Sequence, residues 1–205
     1  MATTIFSSTL IKPSTGSTRP LRILGIAGSL RHGSYNRAAL RAAAELLPPD
    51  TELDIFDLAG IPVFNQDDEN RLPDAVAEMK QHIRAADALL FSTAEYNASV
   101  PGVLKNALDW GSRPPGDNTW SGKPAAIVGA SPGSLGTVRA QYHLRQIFVH
   151  LNLFPLNQPE VMIADAAHRF DSSGRLTHEP TREFIRQLLQ SLVAWTVLIK
   201  SEAEK

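Results

Sequence analysis

From residue 21 onward, short apolar runs alternate with longer segments whose apolar residues recur at helical spacing. The apolar runs have the length and composition of buried β-strands, and they end at turn-forming residues. The sequence therefore predicts an α/β fold in which helices cover both faces of an open, mostly parallel sheet. The expected strands are 21–27, 52–56, 87–93, 124–130 and 160–163, the last with or without 153–156. The expected helices are 36–47, 73–85, 101–110, 137–150 and 181–200.

The length and composition of the chain fit one domain. The 205 residues are enough for one well-buried core and few for two, and 43% of them are hydrophobic. Residues 21–200 are expected to form this single domain. Residues 1–20 are rich in Ser and Thr and hold no acidic residue, which predicts a disordered N-terminal extension. Because this segment lacks the charged start and apolar core of a secretory signal, we expect a cytoplasmic protein.

Charge and cysteine content exclude several classes of function. The 20 basic and 21 acidic residues nearly cancel, which argues against a nucleic-acid-binding protein. No apolar run is long enough to span a membrane, so no membrane partner is expected. The absence of cysteine excludes disulfides, cysteine-ligated zinc and iron–sulfur clusters. No metal site is expected, and packing or surface exposure explains His143 and His150 better than metal ligation does.

The segment that follows the first expected strand has the features of an anion-binding loop. It breaks at Gly28 and offers Ser29, Arg31, Ser34 and Asn36 just before a helix begins. The first turn of a helix has free N–H groups and the positive end of the helix dipole, to which hydroxyls and an arginine add. The segment lacks the fingerprints of dinucleotide-binding and triphosphate-binding loops. Such a phosphate site fits flavin mononucleotide (FMN), and a capped surface helix with polar loop residues is the alternative.

Two further polar loops follow the third and fourth expected strands. The carboxyl ends of parallel strands share one edge of the sheet, so these loops are expected to lie beside the first. The loop at 93–102 holds Glu95, Tyr96 and Asn97, which suit a flat heteroaromatic ring with polar edges. The loop at 131–137 is built from small residues, which allow its backbone to approach such a ring closely.

Two longer motifs resemble those of the NADPH-dependent FMN reductase family, and within it the branch of chromate and quinone reductases. The first motif, G-S-L-R-x-x-S-x-N, is met in full at 28–36. The second motif, P-E-Y-N-x-S-x-P-G-x-L-K-N-A-x-D-W, is met at 94–110 except that Ala94 replaces its proline. The stretch at 141–146 also resembles this branch, and the likeness extends over residues 20 to 200.

The resemblance implies a flavodoxin-like three-layer fold with a five-stranded parallel sheet in the order 2-1-3-4-5. It also implies that FMN binds without a covalent bond. The residues implied to bind its phosphate are Ser29, Arg31, Ser34 and Asn36. The residues implied to contact its ring are Glu95, Tyr96, Asn97, Ser131, Gly133 and Gly136.

The reaction that the resemblance implies is a hydride transfer in two stages. A nicotinamide cofactor, NADPH or alternatively NADH, would pass a hydride to the flavin N5 and then leave. A small-molecule electron acceptor would take its place: a quinone, an azo compound, a free flavin or chromate. Because the flavin carries the chemistry, no catalytic side chain is expected. Arg113 and Arg139 are candidates for contact with the 2′-phosphate of NADPH, and a homodimer or homotetramer is implied.

A serine hydrolase is one alternative to this function. The run at 129–133 matches G-x-S-x-G, with Ser131 as the nucleophile. Pro132 argues against it, because the residue after the nucleophile must donate a backbone N–H to the oxyanion and proline has none. The other members of a triad would come from Asp165, Asp171, His168 and His178.

A flavodoxin-like electron carrier, or a flavin-binding regulator without turnover, is the other alternative. Electron carriers dock to their partners through strongly acidic faces. The formal net charge of −1 therefore argues against the carrier.

Overall fold

A parallel sheet runs through the centre of the molecule, of which the computed structural model describes residues 19–203. The strands are β1 (Leu21–Ala27), β2 (Thr51–Phe56), β3 (Ala88–Ser92), β4 (Pro124–Ala130), β5 (Phe154–Pro155) and β6 (Val161–Ile163). They pair in the order β2-β1-β3-β4-β5, β6 also pairs with β4, and every pairing is parallel. The expected order 2-1-3-4-5 is confirmed.

Helices cover both faces of this sheet, which confirms the three-layer fold. The α-helices of the described range are α1 (Tyr35–Ala44), α2 (Asp74–Ala85), α3 (Gly102–Gly111), α4 (Val138–Leu151) and α5 (Glu179–Ala203). Successive side chains of a strand point to opposite faces, so each central strand supplies two cores. Leu90 and Val128 pack with α1 and α5, whereas Leu89, Phe91 and Ile127 pack with α2, α3 and α4.

The fifth position of the sheet is divided between two short strands. β5 pairs with the start of β4, and β6 pairs with its end. The sequence predicted a strand at 160–163, with or without 153–156, and the structure contains a strand in both segments. Pro155 and Pro159 lack the N–H group that a continuous ladder needs, which explains the interruption.

Most element ends lie within one residue of their predicted positions. The main exception is α1, which ends at Ala44 rather than at 47. Residue 47 precedes Pro48, and the residue before a proline is disfavoured in the helical region, so the helix ends earlier. The helix α5 begins at Glu179 and continues to Ala203, beyond both predicted ends. None of the helices between residues 19 and 203 is long and apolar enough to cross a membrane.

Asp87, just before β3, connects the two ends of the described chain. Its carboxylate accepts hydrogen bonds from Arg19 at 2.8 and 2.9 Å and from Lys200 in α5 at 2.6 Å. It also accepts one from the backbone N–H of Arg22 at 2.8 Å, and its side chain is only 7% exposed. The predicted disordered extension, residues 1–20, lies outside the described residues except for Arg19 and Pro20.

Replacing Asp87 with asparagine is expected to lower stability by about 2 kcal/mol near neutral pH, because it breaks a largely buried ion pair. Burial alone would raise the pKa of Asp87, but the hydrogen bonds from Arg19, Arg22 and Lys200 outweigh burial and hold this pKa well below its ordinary value. Such a carboxylate stabilises the fold above its unfolded-state pKa, and the contribution disappears as the pH falls through the folded-state value. Urea unfolding should therefore show that the free energies of unfolding of the wild type and of Asp87→Asn become more similar in strong acid.

The control for this experiment is Asp50→Asn, which changes an exposed aspartate in the turn before β2. Its unfolding free energy is expected to follow that of the wild type as the pH falls. A deficit of Asp87→Asn that stays constant into strong acid would contradict the role of the charged carboxylate.

Candidate functional site

The loops after β1, β3 and β4 meet at the carboxyl edge of the sheet, as expected, around a cavity of about 70 Å³. Seven of the ten predicted contact residues line it, namely Ser29, Arg31, Ser34, Asn36, Glu95, Tyr96 and Ser131. Asn97, Gly133 and Gly136 do not line it. Because ligand pockets usually measure several hundred Å³, this cavity fits a phosphate and its nearest atoms rather than a whole flavin.

The hydroxyls of the first loop are arranged around the start of α1. Ser34 caps this helix, since its Oγ accepts hydrogen bonds from the backbone N–H groups of Asn36 (3.2 Å) and Arg37 (3.4 Å). Ser29 Oγ accepts from the backbone N–H of Arg31 at 3.4 Å. Both hydroxyls act as acceptors in these bonds, so each keeps a hydrogen that it can donate to an anion. Capping of the helix and anion binding are therefore compatible.

Arg31 brings positive charge to the same cavity. Its guanidinium donates to the carbonyl of Gly33 at 2.8 Å and lies 5.7 Å from the centre of the Tyr35 ring. Within the described part of the chain it has no carboxylate partner. An arginine that is held in place without a counter-charge suits a phosphate group.

Asn36 is directed at the protein rather than at an outside ligand. Its Nδ2 donates to the carbonyl of Ala130 at 2.9 Å, and its Oδ1 accepts from the N–H of Ala130 at 2.9 Å. The same oxygen accepts from the hydroxyl of Ser92 at 3.2 Å. Asn36 is buried, and it joins α1 to the ends of β3 and β4. Its geometry is that of a brace beneath the cavity, which the sequence motif did not distinguish from a phosphate ligand.

Glu95 connects the second loop to the start of α4. Its Oε2 accepts from the backbone N–H of Ala140 at 3.1 Å, and its Oε1 accepts from Arg139 Nε at 2.6 Å. The N-cap residue of α4, Thr137, makes no capping hydrogen bond with its side chain. The carboxylate of Glu95, which belongs to another loop, caps the helix in its place. Burial alone would raise the pKa of Glu95, but the hydrogen bonds from Ala140 and Arg139 outweigh burial and lower it. This carboxylate is therefore engaged within the protein.

The next residues form a tight turn that presents an aromatic ring to solvent. The backbones of Tyr96 and Ser99 bond to each other at 3.2 and 3.0 Å. Asn97 and Ala98 between them both have a positive φ, of 50° and 60°, which is the pattern of a type I′ turn. The side chain of Tyr96 is 57% exposed beside the cavity, as a residue that stacks on a ring would be.

The third loop contains two glycines with different surroundings. Gly136 has a φ of +54°, and a Cβ on it would lie 2.8 Å from the backbone of Met162 and Ala164. Its packing against β6 therefore requires glycine, whatever binds above it. A Cβ on Gly133 would meet only the hydroxyl of Ser131, at 3.6 Å, so that position is open to a ligand.

The geometry does not assemble a hydrolase triad at Ser131. The hydroxyl of Ser131 bonds with the backbone of Gly133, and no histidine of the described residues lies within hydrogen-bond distance of it. His168 does pair with Asp165 at 3.0 Å, but its side chain is 81% exposed. With Pro132 unable to donate to an oxyanion, this alternative has no support in the structure.

The two arginines considered for a 2′-phosphate do not line the small cavity. Arg139 is paired with Glu95, which lies 44 positions earlier, and no sequence motif indicates a pair at this separation. Arg113 lies beyond the end of α3, with Nη1 3.9 Å from Glu69 Oε2. Between residues 19 and 203 no group of His, Asp or Glu side chains could hold a metal ion.

Comparisons with known proteins find similarity to flavin and quinone reductases. The family described as NADPH-dependent FMN reductase matches residues 21–168. An NAD(P)H-dependent FMN reductase of Pseudomonas aeruginosa is 56% identical over 176 residues, which cover 85% of this chain and 95% of that protein. A 2-hydroxy-1,4-benzoquinone reductase of a Burkholderia species is 43% identical, over 85% of this chain and 96% of that protein.

A solved structure shares the whole architecture. FerB, a flavoenzyme NAD(P)H:(acceptor) oxidoreductase from Paracoccus denitrificans, superposes with a TM-score of 0.79 at 34% identity. The match covers 86% of this chain and 97% of FerB. Since the family pattern spans more than half of the sequence and the relatives cover most of it, this chain belongs to the NADPH-dependent FMN reductase family.

Proposed function

We propose that this protein is an FMN-dependent NAD(P)H oxidoreductase that passes a hydride from NAD(P)H, by way of the flavin, to a small-molecule electron acceptor. The observation that carries the proposal is the phosphate-sized cavity at the start of α1. At its wall lie the hydroxyls of Ser29 and Ser34 and the charge of Arg31, which pairs with no carboxylate between residues 19 and 203. The similarity to reductases that use NAD(P)H supports the same function.

The protein's own residues bind and position the cofactor. When bound, FMN supplies the acceptance and donation of a hydride at its N5. Ser29, Ser34 and Arg31 hold the phosphate, and the exposed ring of Tyr96 offers a face for the isoalloxazine. Asn36 fixes the loops beneath the phosphate. Because the flavin carries the reaction, the site needs no acid–base dyad.

The proposed acceptors are quinones, azo compounds, free flavin and chromate, with NADPH or NADH as the reductant. The name of the Burkholderia relative, a 2-hydroxy-1,4-benzoquinone reductase, favours quinones among these acceptors. The shallow site implies that one face of the flavin stays accessible. Such a face suits planar acceptors of several kinds. Steady-state rates with each acceptor, and with each nicotinamide cofactor, will rank them.

The proposal includes assembly into a homodimer or homotetramer and a cytoplasmic location. Tyr142 and Val149 lie seven residues apart on α4 and are 50% and 80% exposed, which supports an interface on this helix. Light scattering after gel filtration will give the mass of the assembly, and cell fractionation will give the location.

An absorbance spectrum of the purified protein tests the function directly. Flavin bands that bleach on anaerobic addition of NADPH and return on addition of a quinone are expected. A protein that binds FMN and bleaches, yet supports no steady-state NADPH oxidation with a quinone, would be a carrier or regulator. A protein that neither binds FMN nor oxidises NADPH would refute the proposal.

Replacing Arg31 with alanine is expected to weaken FMN binding by roughly 10- to 100-fold, because it removes a charge-assisted hydrogen bond to the phosphate. Fluorescence titration of the FMN-free protein will measure the change. Riboflavin, which lacks the phosphate, should bind equally to the variant and to the wild type. The control is Arg41→Ala, which removes an exposed arginine from the last turn of α1. Equal losses for FMN and riboflavin would argue against a phosphate contact.

A further inference from the structure

A serine–histidine pair lies beside the proposed ring-binding loop. Ser99 Oγ is 3.0 Å from His143 Nδ1, which is a hydrogen bond in either tautomer of the imidazole. Ser99 closes the type I′ turn that begins at Tyr96, and His143 is an exposed residue of α4. Neither residue is used by the cofactor-binding arrangement described above.

The pair adds to the hydrogen bonds from Arg139 and Ala140 that fix the loop against α4. Arg139 bonds to Glu95, and His143, one turn later, bonds to Ser99, four residues after Glu95. Residues four apart share a face of a helix, so α4 directs both of these side chains at the same loop. These contacts hold the serine hydroxyl and the imidazole in a fixed position relative to the loop that lines the cofactor cavity.

His143 and Ser99 also line a second cavity, of about 700 Å³. Tyr96 lines the first cavity and Ser99 the second, so both cavities adjoin the same turn. A volume of several hundred Å³ suits a small aromatic molecule. The apolar side chains of Val100 and Ile147 contribute to its lining.

Reduction of a quinone needs a proton in addition to the hydride. A quinone that accepts a hydride at one oxygen becomes a hydroquinone monoanion, and a proton on its other oxygen completes the hydroquinone. A positioned histidine is the side chain best suited to supply a proton near neutral pH, and a serine hydroxyl can pass it on. The cofactor itself does not fix where this proton comes from.

We propose that Ser99 and His143 form a proton relay to a quinone bound beside the turn. Ser99 Oγ–H protonates the anionic quinone oxygen, and His143 Nδ1–H returns a proton to Ser99 Oγ. The exposed imidazole then regains its proton from water. The relay rests on the proposed quinone reductase function, and NAD(P)H is the source of the hydride.

Charged and titratable groups from several elements surround the relay. Those on its own helix and on the loop are Arg139, His150 and Glu95. Those contributed by α3 and the residues after it are Lys105, Asp109 and Arg113. The Lys105 Nζ pairs with Asp109 at 2.7 Å, so these two charges largely cancel beside the histidine.

Two variants separate a relay from a contact that only holds the loop. Ser99→Ala removes the hydroxyl that donates the proton. His143→Asn places an amide where Nδ1 was, so it can still bond to Ser99 but cannot carry a proton. The control is His82→Asn, because His82 is also hydrogen-bonded, at 2.7 Å to Asp54, but lies on α2 away from both cavities.

The FMN-loaded proteins are compared with benzoquinone and with ferricyanide, which accepts electrons without protons. Both relay variants are expected to lose roughly 100-fold in kcat with benzoquinone. Both should keep their rate with ferricyanide, and His82→Asn should match the wild type with both acceptors.

Nitrogen NMR of the histidines in the FMN-free protein tests the hydrogen bond without any activity. The Nδ1 signal of His143 is expected to move in Ser99→Ala and to stay in place in His82→Asn. An unmoved signal, an unchanged benzoquinone rate in His143→Asn, or an equal loss with both acceptors would overturn the relay. A wild-type protein that reduces neither acceptor would instead refute the proposed function itself.

Discussion

Asn36→Ala is expected to lose FMN during purification and to unfold with roughly 3 kcal/mol less free energy than the wild type. The carboxamide of Asn36 makes hydrogen bonds with both backbone groups of Ala130 and with the hydroxyl of Ser92. Alanine leaves these buried groups without a partner, and each such group costs about 1–3 kcal/mol. Because the brace joins the ends of β3 and β4 to α1, its removal also releases the loops that surround the phosphate cavity.

Urea unfolding of the FMN-free proteins, and titration with FMN, measure the two effects separately. The control is Asn70→Ala, since Asn70 is exposed and lies in a turn far along the chain from the site. If Asn36→Ala proves too unstable to purify, Ser92→Ala removes only one of the three hydrogen bonds to the carboxamide, and it should show a smaller loss of both quantities. A stable Asn36→Ala protein that purifies with full flavin content would contradict the assignment of Asn36 as a brace.

The strands, the helices and the position of the site could be predicted because each depends on local patterns, whereas the strand order 2-1-3-4-5 was implied by the resemblance to the family. Short continuous apolar runs indicate the buried strands, and a period near 3.6 indicates a helix. In a parallel α/β sheet the carboxyl ends of the strands share an edge, so the loops after β1, β3 and β4 had to meet. The division of the fifth position between β5 and β6 could also be read from Pro155 and Pro159.

The roles of individual side chains within the site could not be predicted in the same way. Glu95 and Asn36 have residue types that suit a ligand, but their partners lie 45 and 94 positions away. The choice between a ligand contact and an internal hydrogen bond depends on where another element passes. Asn97 did carry a usable signal, since asparagine favours the positive φ that the turn at 96–99 requires.

Gly136→Ala is expected to lower the free energy of unfolding by roughly 2–4 kcal/mol, more than any other change within the third loop. The φ of +54° is strained for alanine, and its Cβ would lie 2.8 Å from the backbone of Met162 and Ala164. A backbone cannot move aside as a flexible side chain can, so the loop must separate from β6. FMN binding should fall as a consequence, since Ser131 and the start of α4 move with the loop.

Gly133→Ala provides the matched control in the same loop, because a Cβ there would meet only Ser131 Oγ, at 3.6 Å. Its unfolding free energy without FMN is expected to equal that of the wild type. A loss of FMN affinity in this variant would therefore report a direct contact between the loop and the flavin, free of any effect on folding. If Gly136→Ala were as stable as Gly133→Ala, the packing explanation for Gly136 would be wrong, and its need for glycine would have to come from the cofactor.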